Sequence, residues 1–301
     1  MEANGYQIEP GADLSNSDLV GEELLLANLV KANLSKSNLS SSNLTGANLY
    51  MANLSDANLS FVELSMANLC MANLGNANLT DACLDSANLT KSNLGSANLT
   101  NAIGRNANFS YAIMNDAVFT NSGFPNTNFS SGELVSISAE CAWFGFSYFT
   151  NADLSNSILI SANLAYANFT DCNMTGSNLK LSVCSGANFS RSNGEGINFS
   201  DCDLTFAILV EAIFAGSIFV NSNFSYANLS DANLSGSNLT GANFSDAILS
   251  NADLAASDLT GANLERANLS NANLLSANLA DTNFSESILT GATMPDGTIH
   301  K

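Results

Sequence analysis

Histidine, tryptophan, proline and the basic residues are nearly missing from this chain. Among 301 residues there are one His, one Trp, three Pro and eight Lys plus Arg, set against 27 Asp plus Glu for a formal charge of −19. So few cations exclude direct binding of nucleic acid or of an anionic membrane, because both need a basic footprint; basic partners and imitation of a polyanion stay open. His300 is the only histidine and lies one residue from the end, where a disordered tail is the plain reading. With no base to activate them, the many serines and threonines are surface residues rather than nucleophiles. No catalytic, cofactor-binding or metal site is expected, since neither a Gly-rich phosphate loop nor an HExxH-like spacing occurs.

Long apolar runs are missing too. No stretch reaches the roughly 18 residues of a membrane span. The opening Met-Glu-Ala-Asn-Gly-Tyr has neither the basic start nor the apolar centre of a signal peptide. The six cysteines follow no metal or disulfide spacing, with Cys172, Cys184 and Cys202 at inward positions and Cys70, Cys83 and Cys141 at outward ones. Reduced, unpaired thiols fit a cytoplasmic location.

What is present is one sentence repeated. A large apolar residue, here called the centre, recurs every five residues from Leu14 to Met294 with no insertion or deletion, and only Gly104, Ala139, Cys184 and Gly194 break the rule. Two residues before each centre sits a small partner, usually Ala, Ser or Cys, with Asn or Asp between them. In a strand, residues two apart share a face, so partner and centre point inward and the residue between points out. The position two after the centre would point inward again, yet it is mostly polar or Gly, so the chain turns there. Each pentad is one short side and one corner of a solenoid.

A second spacing sets the number of sides. Phe109, Phe129, Phe149, Phe169 and Phe189 are centres 20 residues apart, and Gly176, Gly196, Gly216 and Gly236 are corners 20 apart. Twenty residues per coil means four sides. With about 4.8 Å between coils, the pentads make about 14 coils and a rod on the order of 70 Å long, with the Phe column stacked ring on ring inside.

The Ala-Asn-Leu-Ser pattern, as in Ala57-Asn58-Leu59-Ser60 and Ala262-Asn263-Leu264, resembles the pentapeptide-repeat family over nearly the whole chain. The resemblance implies an all-β fold, a right-handed quadrilateral β-helix, and supplies a handedness that the period does not. The tail Met-Pro-Asp-Gly-Thr-Ile-His, residues 294 to 300, is similar to the ends of cyanobacterial members.

Three segments are expected: an N-terminal cap with an irregular first coil over 1–26, the repeat β-helix over 27–294, and a C-terminal tail over 295–301. Within the helix, residues 27–100 are close to ideal. From 101 to 160 the pattern loosens, with Ile103, Ile113, Val118, Trp143, Tyr148 and Ile158 in place of the outward polar residue. At Ala139 the partner is Ile137, so large and small have changed places. Gly104 and Gly194 have no such exchange, and the column neighbours Phe124, and Met174 with Phe214, are the side chains available to lean into the gap.

Sorting outward residues by their place in the coil gives four faces. Those centred on Leu14, Leu19 and Leu24 are acidic. The face centred on Leu29 carries Lys31, Lys91 and Arg191 against Asp171, Glu211 and Asp231 and is neutral. Asp171, Arg191, Glu211 and Asp231 are read as a surface charge ladder. Outward aromatics gather on the neutral face and its Leu24 neighbour: Tyr50, Tyr111, Trp143, Phe146, Tyr148, Tyr166, Phe206 and Tyr226, with Phe61 the exception. Phe146, Tyr166, Phe206 and Tyr226 share one corner position, and Trp143 and Tyr148 flank it. Exposed aromatics of this kind mark a contact surface.

The reading that follows is a non-catalytic interaction or scaffold rod. It binds an unidentified protein partner, or a second copy of itself, through Trp143, Phe146, Tyr148, Tyr166, Phe206 and Tyr226. Two alternatives belong to other classes. The chain is similar to the gyrase-protecting pentapeptide proteins that imitate DNA, but a duplex of roughly 70 Å carries about 40 phosphate charges, against a net 19 here. A column of Thr90, Ser110, Ser130, Thr150, Thr170 and Ser190 raises ice or ordered-water binding, although Val210 interrupts it.

Overall fold

A computed structural model describes residues 1–301 as two compact units, Met1–Asp153 and Leu154–Lys301. Each is a four-sided β-helix. In the first, outward residues pair in parallel with those 20 further on, as in Asn33 with Asn53 and Asn53 with Asn73. In the second the same register joins Asn178 to Asn198 and Ile208 to Asn228. The four-sided coil expected from the Phe and Gly columns is therefore the observed one.

The hydrogen bonds of one pentad explain its sequence. The amide of Asn33 donates to Ala12 O at 2.9 Å, that of Leu34 to Asn53 O at 2.6 Å and that of Lys36 to Ser55 O at 2.9 Å, tying the coil to both neighbours. Ser37 N closes the turn on Leu34 O at 3.2 Å. One amide is left over, Ser35 N, and it donates to Asn33 Oδ1 at 3.2 Å. The outward Asn thus satisfies the fifth backbone donor, which would otherwise cost about 1 kcal/mol or more. Its Nδ2 donates to the residue one coil back, as Asn53 does to Asn33 at 3.2 Å.

Each turn needs a left-handed residue at its third position. Every fifth residue from Gly11 to Gly291 has φ between about 54° and 78°. These corners hold Gly, Asn, Asp, Ser and a minority of bulky side chains, but no Val, Ile, Thr or Pro. β-Branched residues with positive φ are strained, which is why Thr is frequent one position earlier and absent here.

Centres and partners fill the interior. In the first unit, Phe109, Phe129 and Phe149 stack at 5.1 Å and 4.8 Å between centroids. In the second, Phe169 and Phe189 stack at 5.0 Å. Ile137 and Ala139 are both fully buried, so the exchanged pair fits. At Gly104 the Phe124 ring occupies the space a Cβ would take, and at Gly194 the Phe214 ring does the same. The gaps are filled by the column neighbour one coil on.

At the start, β1 (Glu2–Ala3) and β2 (Tyr6–Gln7) form an antiparallel hairpin around Asn4-Gly5, both with positive φ, the two-residue turn that such hairpins favour. Ala3 and Ile8 are buried. Asn4 Nδ2 donates to Asp18 O at 2.8 Å, fastening the hairpin to the first coil. Regular pairing begins at Asp13 with Asn33. The tail is not the disordered segment expected around His300: Thr293 pairs antiparallel with Ile299, and His300 exchanges backbone bonds of 2.8 Å with Gly291 and Ala292. The Asp296-Gly297 turn makes this possible, with Asp296 Oδ1 accepting from Thr298 N at 2.9 Å.

Candidate interaction surface

The expected surface residues divide between the units. In the first, Trp143, Phe146 and Tyr148 lie within one coil, Phe146 on the corner and the other two on the sides that meet there. All three are about half exposed. Corner geometry, with φ of 61° at Phe146, turns its ring out. Below Trp143 the outward column runs Cys83, Ile103, Gly123, Trp143 and carries no Asn ladder. The bond that Asn would make is replaced at one point, where Arg105 N donates to Asp85 Oδ1 at 2.7 Å.

In the second unit Tyr166, Phe206 and Tyr226 occupy one corner column with positive φ. The Tyr166 ring lies across the Gly186 corner, where a Cβ would collide with it. Phe206 and Tyr226 stack with centroids 5.1 Å apart and planes 16° apart, while remaining 61% and 54% exposed. Further along the same column Asp246 holds Arg266 through two bonds, Nε at 2.7 Å and Nη2 at 2.8 Å. Arg266 also donates to Glu265. The Arg266 guanidinium, first, keeps the Asp246 carboxyl below the usual range, and the Tyr226 hydroxyl adds to it.

The charge ladder is real at one rung. Arg191 grips Asp171 with bonds of 2.7 Å and 2.8 Å, which lowers the Asp171 pKa. The Asp246–Arg266 pair repeats that arrangement on the aromatic column, and its 20-residue spacing was the readable signal for it. Lys31 and Lys91, which balance the Leu29 face in the sequence, both lie in the first unit. In the second unit that face keeps Glu211 and Asp231 in excess. In the first, Lys91 Nζ sits 5.9 Å from the Tyr111 ring centroid, over its face.

Three members of the hydroxyl column are turned onto their own scaffold. Thr90 Oγ1 donates to Asn88 Oδ1, Thr170 Oγ1 to Asn168 Oδ1 and Ser190 Oγ to Asn188 Oδ1, each at 2.6 Å. The cysteines fall as the alternation places them: Cys172, Cys184 and Cys202 are buried, Cys70 and Cys83 half-buried, and Cys141 exposed, all as free thiols. Burial pushes the Cys184 thiol well up and that of Cys202 up to about 11. No helix is long and apolar enough to cross a membrane.

The family model described as "Pentapeptide repeats (8 copies)" matches overlapping segments over 11–121, then 144–176 and 182–294. Residues 122–143, inside the stretch where the pattern loosens, are unmatched. Among solved structures, the chain is 26% identical to HetL, a pentapeptide repeat protein involved in heterocyst differentiation regulation from the cyanobacterium Nostoc, over 90% of this chain and 92% of that one, with a TM-score of 0.22. A pentapeptide repeat protein from the Arabidopsis thaliana thylakoid lumen is 25% identical over 39% and 68%, with a TM-score of 0.29. QnrB1, a plasmid-mediated fluoroquinolone resistance protein, is 16% identical over 62% and 90%, with a TM-score of 0.33. No curated protein matches.

Proposed function

The chain belongs to the pentapeptide-repeat family, whose members fold as right-handed quadrilateral β-helices, and from that premise we propose that it is a non-catalytic interaction scaffold binding a protein partner through the exposed aromatic residues at its corners. The fold alone leaves function open. The observation that carries the reading is the placing of exposed rings on left-handed corners. A non-Gly residue there costs on the order of 1–3 kcal/mol, and the repeat offers Gly, Asn or Asp as cheaper choices. In the first unit Phe146 takes this corner place in the 20-residue repeat, with Trp143 and Tyr148 on the adjoining sides, and in the second Tyr166, Phe206 and Tyr226 take the same place in their own repeats. The interior does not need them, since centres and partners already fill it. A partner that buries such rings gains affinity from them, as large aromatic anchors do at protein interfaces. The free thiols fit a reducing cytoplasm as the working location.

Crosslinking in intact cells with the Trp143→Ser, Phe146→Gly double variant tests this. Glycine at 146 keeps the corner conformation. A folded variant that no longer captures the partner bound by the parent supports the reading, and unchanged capture overturns it.

A further inference from the structure

Resting on that reading, we infer that the Phe206–Tyr226 stack seats an arginine side chain of a basic partner segment. The stack combines exposed aromatic surface with carboxylates on both neighbouring corner columns and on the next coil. Glu211 and Asp231 occupy the next corner column, Asp201 the preceding one, and Asp246 the next coil of the same column. Of these carboxylates only Asp246 has an ion-pair partner, Arg266; Arg191 is held by Asp171 and acts on Glu211 only as a longer-range charge.

The first unit shows the same kind of seat already filled. Tyr111, an exposed corner ring with φ of 60°, carries Lys91 over its face. Phe206 and Tyr226 have rings on the same kind of corner with no cation from the chain over them. A cation is drawn to the ring faces by their quadrupole and to the carboxylates by charge. Arginine suits both, because its planar guanidinium stacks on a ring while its fork meets a carboxylate.

The charge also decides against other occupants. A second copy brings the same carboxylates and a net charge of −19, so it meets like charge at this corner. A purely apolar segment would have to strip water from Asp201, Glu211 and Asp231 without pairing them, which is costly.

The test uses the full chain and three fluorescent peptides, octa-arginine, octa-lysine and octa-glutamate, with binding followed by anisotropy at physiological salt. The Phe206→Gly, Tyr226→Gly variant retains the corner backbone and serves as the folded control for the rings; Glu211→Gln, Asp231→Asn serves for the charge. Octa-arginine is expected to bind several-fold more tightly than octa-lysine, octa-glutamate not at all, and each double variant to weaken octa-arginine by about tenfold. Equal affinity for the arginine and lysine peptides, or an unchanged octa-arginine affinity in the glycine variant, overturns the inference, since a diffuse acidic field would account for both. A partner crosslinked at Phe206 through a segment without Arg also overturns it while leaving the interaction surface standing. Partner capture unaffected by the glycine variant but lost with Trp143→Ser, Phe146→Gly overturns the inference alone, and capture unaffected by either variant removes both.

Discussion

Phe206 and Tyr226 stack at 5.1 Å although both sit on corners with φ near 60°, a conformation that disfavours their side chains. Stacking contributes about 0.5–1.5 kcal/mol, while each corner costs about 1–2 kcal/mol against Gly. Replacing both with Gly is therefore expected to change stability by no more than about 1 kcal/mol, after the extra unfolded-state entropy of Gly. Phe206→Val is expected to cost about 2 kcal/mol or more, because a β-branched side chain at positive φ adds strain to the lost stack. Urea midpoints give the order. A Val variant as stable as the Gly variant would show that the corner conformation is not what limits these positions.

The fit of Phe124 to Gly104 makes a second prediction. Gly104→Ala places a methyl where the ring lies and should cost about 1–3 kcal/mol by overpacking. Gly104→Leu restores the repeat consensus yet should be worse alone, and pairing it with Phe124→Leu should recover most of the loss. Thermal melts of the three variants check this. Absence of rescue in the double variant would contradict the exchange of volume between the two coils. Gly194 and Phe214 offer the same test in the second unit.

Acid titration probes the Asp–Arg pairs. Arg191 and Arg266 depress the carboxyls of Asp171 and Asp246. A carboxyl whose folded pKa lies below its unfolded value of about 3.9 stabilises fully above that value and loses its contribution as pH falls through the folded pKa. The pairs should thus be indifferent to pH between 7 and 5 and weaken below about 4. Asp246→Asn should remove part of that acid-side loss, seen as a flatter stability profile below pH 4; a profile identical to the parent would count against the pair.

Thiol accessibility is a fourth expectation. At pH 8 a thiol reagent should modify Cys141 first and Cys70 and Cys83 more slowly. Cys172, Cys184 and Cys202 should react only in denaturant, because they are buried and the latter two titrate far above that pH. Peptide mass mapping identifies the order. Fast native labelling of Cys184 would contradict the closed interior.

Much of this fold was legible because the repeat states its geometry twice. The period of five named centre, partner and corner, and the 20-residue columns of Phe and Gly named the coil. The inward volume exchange at Ile137 could be read within its own pentad, against Ala139, and that at Phe124 from its column neighbour Gly104. The role of the outward Asn was not, because it depends on which amide the turn leaves unpaired: Asn33 reads as surface cover until Ser35 N is seen to need it. The tail was misread for a related reason, since the pairing of Thr293 with Ile299 follows a turn outside the period. At the candidate surface, sequence placed every ring on its corner or side, but not the stack of Phe206 on Tyr226 or the seating of Tyr166 across Gly186. Those depend on rotamers. The averaged neutrality of the Leu29 face concealed an acidic surround in the second unit, because its lysines lie elsewhere.

The interaction-scaffold account is tested most directly by photo-crosslinking in cells from two corners of the second unit. A photoreactive phenylalanine analogue is placed at Phe206 or at Ala256, an exposed corner ten residues out of register and so on the opposite side of the coil. The account predicts a discrete crosslinked protein from position 206, little from 256, and loss of the product when Tyr226 is replaced by Gly. Equal yields from both corners, or a product from 206 that survives Tyr226→Gly undiminished, would contradict it.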